Sequence, residues 1–155
     1  MSIRQLTILL VFTSLIIFSV VSKVFFNDFQ NGWDAYVKKD YKVAYELWLP
    51  LAEKGDSKAQ FFLGFMHDLG FGTLEDDKEA LKWYQLAAEQ DDSRAQLFTG
   101  FIYDFGLGVS NDHQKAFKFY QLARKGGYLQ ARTKIYDLAV KNNPQALQVL
   151  LDDAE

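Results

Sequence analysis

Apolar positions along this chain follow two regimes. From Gln5 to Ser22 there are 18 consecutive residues without a charge, while beyond Asp28 the apolar residues return every three or four positions. The continuous run would span about 27 Å as a helix, close to the thickness of a bilayer's hydrocarbon core. It has no amphipathic face and so does not read as a core helix. Arg4 and the terminal amine lie on its short N-terminal flank, and Lys23 is soon offset by Asp28, so the positive-inside rule keeps the N-terminus cytoplasmic and puts the rest across the membrane. Val24, Phe25 and Phe26 lengthen the stretch and no A-x-A triplet is present, which favours a retained anchor over residues 1–26. Val20 and Ser22 leave signal cleavage and export as the alternative.

The periodic part repeats. Residues 56–91 lie over residues 92–127 without a gap and with 17 identities in 36 positions. The same offset relates Ala95 to Ala131 and, backwards, Ala80 to Ala44 and Tyr84 to Trp48, so partial copies flank the pair. Residues 27–55 form a degenerate first unit, with a tight turn at Lys39 and Asp40, and residues 128–155 form a partial closing unit.

Each copy predicts two helices. Ser57 with Gln60, and Ser93 with Gln96, have the spacing of a capping box that opens the first helix. Gly70 and Gly106 close it, and Gly72 and Gly108 keep the loop permissive. Asp76 and Asp112 stand where the second helix needs an N-cap. In that helix Ala80, Leu81, Trp83, Tyr84, Ala87 and Ala88 share one arc, and Lys82, Gln85 and Glu89 face the other way. A glycine at mid-helix, Gly64 or Gly100, costs about 1 kcal/mol relative to alanine, so close approach of a neighbour such as Tyr84 or Tyr120 is expected to offset it. Pro50 predicts a kink or break in the first unit's second helix. Asn143 and Pro144 read as the start of a last helix that covers the stack.

Leu63, Gly64, Gly70, Gly72, Asp76, Ala80, Trp83, Tyr84 and Ala87, with their counterparts in the next copy, resemble the Sel1-like repeat, a relative of the tetratricopeptide repeat. His67 stands in the usual tyrosine place, and Thr99 and Arg124 depart from the pattern. The resemblance implies an all-α fold, a right-handed α/α superhelical solenoid of helix-turn-helix units. With the anchor added, the chain reads as one transmembrane helix followed by that solenoid.

Composition narrows the chemistry. A net charge of −3 lacks the basic excess that nucleic-acid binding requires, and the absence of cysteine removes thiolate metal sites and thiol nucleophiles. His67 and His113 are the only histidines and lie at different phases of different repeats, His67 reading as a core residue and His113 as solvated. No catalytic, metal or cofactor motif is expected. The stronger candidates sit on the first helices: Phe61, Phe65 and Asp68, repeated as Leu97, Phe101 and Asp104, lie opposite Ala59 and Leu63. In tetratricopeptide-like stacks the first helices line the concave surface, so the resemblance implies an apolar groove with acidic points, suited to a protein or peptide partner with apolar and basic residues. Packing between repeats would account for the same side chains, and both readings stay open, as does pairing of two copies through them. The expected function is a membrane-anchored, non-catalytic scaffold whose repeats lie outside the cytoplasm, in the periplasm if the cell is bacterial. An envelope enzyme or accessory subunit acting on cell-wall polysaccharide or peptide is the alternative, as is a soluble exported repeat protein.

Overall fold

The computed structural model describes residues 28–141 and 144–152. Among them every regular element is helical: α1 (residues 28–37), α2 (Tyr41–Glu53), α3 (Ser57–Leu69), α4 (Asp77–Ala88), α5 (Ser93–Phe105), α6 (His113–Lys125), α7 (Gln130–Val140) and α8 (Pro144–Asp152). Helices adjacent in the chain pack together from α2 to α8. Aromatic contacts join α1 to α3 and α3 to α5, through Trp33 with Phe62 and Phe61 with Phe98. The odd-numbered helices therefore sit side by side, each the first arm of a hairpin. The segment expected to anchor the chain, residues 1–26, lies outside the described residues. Among the described residues no helix is long and apolar enough to cross a membrane.

The two full repeats are built by the same hydrogen bonds. Gly70 and Gly106 adopt the left-handed conformation, at φ 65° and 71°, and stop α3 and α5. The amide of Asp76 then donates to the His67 carbonyl at 2.9 Å, and that of Asp112 to the Tyr103 carbonyl at 2.7 Å. Asp76 and Asp112 cap the next helices as expected. The α4 residues placed on one arc by the sequence, Ala80 to Ala88, are the buried ones.

At the other end of each first helix the capping residue differs from the expected serine. Asp56 accepts from the Ala59 amide at 2.8 Å, and Asp92 accepts from those of Arg94 and Ala95 at 3.0 and 3.1 Å. Ser57 and Ser93 are the first helical residues. Gln60 and Gln96 do not close a capping box. They are buried, and their side-chain amides donate to the carbonyls of Ala52 and Ala88 at 3.0 and 3.3 Å, binding each first helix to the end of the preceding repeat. Pro50 does not break α2, which continues to Glu53. The proline and Glu46 are both exposed, so the carbonyl left without its amide partner can meet water.

The mid-helix glycines mark where paired helices touch. A Cβ on Gly64 would lie 2.7 Å from the ring of Tyr84, and one on Gly100 2.6 Å from the ring of Tyr120. Both tyrosines are fully buried. Gly32 stands against Trp48 in the same way, so the first unit keeps the contact although its loop has become a turn. Lys39 adopts φ 66° at that turn. Gly72 and Gly108 do more than relax a loop. A Cβ on Gly72 would come within 2.8 Å of the Lys42 amide nitrogen, and one on Gly108 within 2.7 Å of the Asp77 Cβ, so each loop seats on the start of the previous repeat's second helix.

Candidate functional site: a groove between first helices

A cavity of about 240 Å³ is lined by Asp68 of α3, Leu97, Phe98, Phe101 and Ile102 of α5, and Lys134 of α7. Its wall is apolar because α5 turns successive faces toward both neighbours. Phe98 stacks on Tyr84 at 5.2 Å and meets Phe61 edge-on at 5.8 Å, which fixes its position. Phe101 meets Phe105 at 4.4 Å with the rings tilted by 37°, and packs into none of the buried core clusters. The Lys134 ammonium lies 5.3 Å from the centre of the Phe101 ring and 3.7 Å from the Asp137 carboxylate.

Asp68 is the cavity's acidic group. It accepts a long hydrogen bond of 3.5 Å from the Tyr84 hydroxyl. Burial, reinforced by the nearby Asp77 carboxylate, raises its carboxyl pKa above the usual range, and the tyrosine bond only partly opposes this. Burial, then the Asp68 charge and hydrogen bond, pushes the Tyr84 hydroxyl pKa up.

Of the six side chains expected on this surface, Asp68, Leu97 and Phe101 come together around the cavity. Phe65 is half-buried beside it, edge-on to Phe98 and Phe71. Two expectations need correction. Phe61 is a core residue, 7% exposed, because the Arg94 guanidinium covers its ring at 4.3 Å and Phe98 meets it edge-on at 5.8 Å. Asp104 is also buried: Lys141 Nζ and His113 Nδ1 lie 3.0 and 3.1 Å from one oxygen, and the Tyr120 hydroxyl donates to the other at 3.4 Å. His113, expected to be solvated, keeps its side chain 43% exposed while Nδ1 lies beside this buried carboxylate. His67 is buried as expected, with Nε2 3.3 Å from the Tyr45 hydroxyl.

Sequence reasoning missed Phe98, Ile102 and Lys134. Phe98 is identical to Phe62 one repeat earlier, and that identity was available as a signal. Lys134 lies where the repeat pattern has faded, and nothing in the sequence marks it. Among the described residues no three His, Asp or Glu side chains are grouped to hold a metal ion.

The Sel1 repeat model matches residues 29–56, 57–92 and 93–128. Similar solved structures include a Sel1 repeat protein from Oxalobacter formigenes, 29% identical with a TM-score of 0.70, over 77% of this chain and 52% of that one. Another is c5321, a protective antigen present in uropathogenic Escherichia coli strains and displaying an SLR fold. It is 30% identical with a TM-score of 0.69, over 78% of this chain and 27% of that one. The chain therefore spans about half of the first structure and about a quarter of the second. No curated protein matches it.

Proposed function

The chain belongs to the Sel1 repeat family, whose members generally serve as protein-interaction scaffolds, and from that premise we propose that it holds a segment of a partner protein in the groove between α3, α5 and α7. One observation carries the reading. Phe101 and Leu97 form an apolar wall that the repeats do not fully cover, with Asp68 and Lys134 at its edges. At about 240 Å³ the cavity is below the ~300–1,000 Å³ of a drug-sized ligand site and suits single side chains of a peptide. Apolar walls with a few polar groups are also how helical grooves recognise peptides.

The test compares the proteins that co-purify with the full chain and with Phe101→Ser. Phe101 lies outside the core clusters, so the variant should keep its helical spectrum and lose the partner. A variant that keeps the partner refutes the groove. If Phe101→Ser instead dissociates a dimer, the occupant is a second copy.

We further propose that residues 1–26 anchor the scaffold in a membrane with the repeats on the far side, which in a bacterium is the periplasm. The uncharged run from Gln5 to Ser22 supports this. Alkaline extraction should leave the full chain with the membranes, and its release would refute the anchor. An intact mass lacking the first residues would show cleavage and export.

A further inference from the structure

We infer that the groove takes a basic side chain of its partner, with the aliphatic stem against Phe98, Phe101 and Ile102 and the cationic head on the Asp68 carboxylate. The inference rests on the groove reading above and adds the chemistry of the occupant.

Two equivalent positions one repeat apart differ in what surrounds them. Asp68 and Asp104 occupy equivalent places and each accepts a bond from the tyrosine of its own hairpin, at 3.5 and 3.4 Å. Around Asp104 the charge is answered by the Lys141 ammonium, and the His113 ring lies beside it with Nδ1 at 3.1 Å. One repeat earlier, Phe105 stands at the register of Lys141 and Asp77 at the register of His113. An aromatic ring and a second carboxylate thus replace two basic groups. Among the described residues no lysine, arginine or histidine lies within ion-pair distance of Asp68. A half-buried carboxylate beside another carboxylate, opening into an apolar cavity, is an unfavourable arrangement until a cation enters.

Lys141 shows how this fold meets that need. Its ammonium sits 3.0 Å from Asp104 and 5.2 Å from the centre of the Phe105 ring, so charge pairing and an aromatic contact act together. The Asp68 cavity offers the same combination, with Phe101 and Phe98 as the rings and no lysine paired to the carboxylate. Lys134 also lines the cavity but is already engaged by Asp137 and Phe101. An acidic side chain seated there would meet repulsion from both Asp68 and Asp77.

A random peptide library displayed on phage and selected on the full chain tests this. The recovered peptides should share a lysine or arginine next to apolar residues. Their affinity should fall about tenfold or more for Asp68→Asn. It should not change for Glu46→Gln, which removes an equal charge from the exposed face of α2. Asp68→Lys should select acidic peptides instead, a reversal that loss of folding cannot produce. Peptides that depend on Phe101 yet lack a basic residue and ignore Asp68→Asn would overturn the inference and leave the groove standing. Peptides indifferent to both Phe101→Ser and Asp68→Asn, or no recovered peptides at all, would overturn the inference and the groove together.

Discussion

Gly64→Ala sets two effects of opposite sign against each other, and the structure decides between them. Replacing a mid-helix glycine by alanine should stabilise α3 by about 1 kcal/mol through helix propensity. The added methyl, however, would stand 2.7 and 2.8 Å from Cδ1 and Cε1 of Tyr84. That ring is fully buried, stacks on Phe98 at 5.2 Å and has its hydroxyl on Asp68, so it has little freedom to withdraw. Overpacking of this kind costs about 1–3 kcal/mol, so the net change should be a loss of about 0–2 kcal/mol. Gly64→Leu adds three further carbons in the same direction and should cost a few kcal/mol. Urea denaturation of the full chain followed by helical circular dichroism measures both. The cause is isolated by repeating Gly64→Ala in a Tyr84→Leu background. There the propensity gain should emerge and the sign of the change should move toward stabilisation. A Gly64→Ala protein more stable than the parent by the full propensity gain would refute the close-contact argument.

Other outcomes follow from the same geometry. Gln60→Leu removes a donor to the Ala52 carbonyl and the acceptor for Gln90, bonds of 3.0 and 2.7 Å, while the Gly55 amide still donates to Ala52 at 3.0 Å, so thermal or urea unfolding should show a loss of about 0.5–1.5 kcal/mol. The Asp76 and Asp112 carboxyls are held below the usual range, first by the amides of Glu79 and Lys115 respectively. Their stabilisation is therefore present above the unfolded carboxylate pKa and lost as pH falls through the folded value. Asp76→Asn and Asp112→Asn, which retain a capping side chain, should flatten the acid limb of the stability profile. Asp68 behaves oppositely, since burial and Asp77 raise its carboxyl: its contribution is full below the unfolded pKa and lost as pH rises through the folded value. Asp68→Asn should accordingly raise the melting temperature of the unliganded chain at neutral pH, and the difference should vanish in acid.

The repeat made hairpin boundaries, glycine contacts and second-helix faces readable, because each is a local need met twice with the same residues. Caps were less readable, since Asp-Ser precedes both first helices and either residue suits the position. What excluded the serine box was the burial of Gln60 against Ala52, a contact between successive repeats that spacing within one helix does not reveal. Site exposure was the least readable feature. Phe61 and Leu97 share a register, yet Arg94 and Phe98 bury the first while the second lines the cavity. Asp68 and Asp104 diverge for the same reason, because the unit after Asp104 contributes Lys141 and the unit after Asp68 contributes Phe105. Register assigns a side chain to a surface, and the neighbouring repeat then covers it or leaves it open.

The most direct test of the groove is photo-crosslinking of the full chain in cells, with a photoreactive phenylalanine at position 101 or at position 82 on the exposed face of α4. The account predicts a discrete adduct with one partner from position 101 that Asp68→Asn diminishes, and none from position 82. Equal adducts from both positions, or an adduct from position 82 alone, would contradict it.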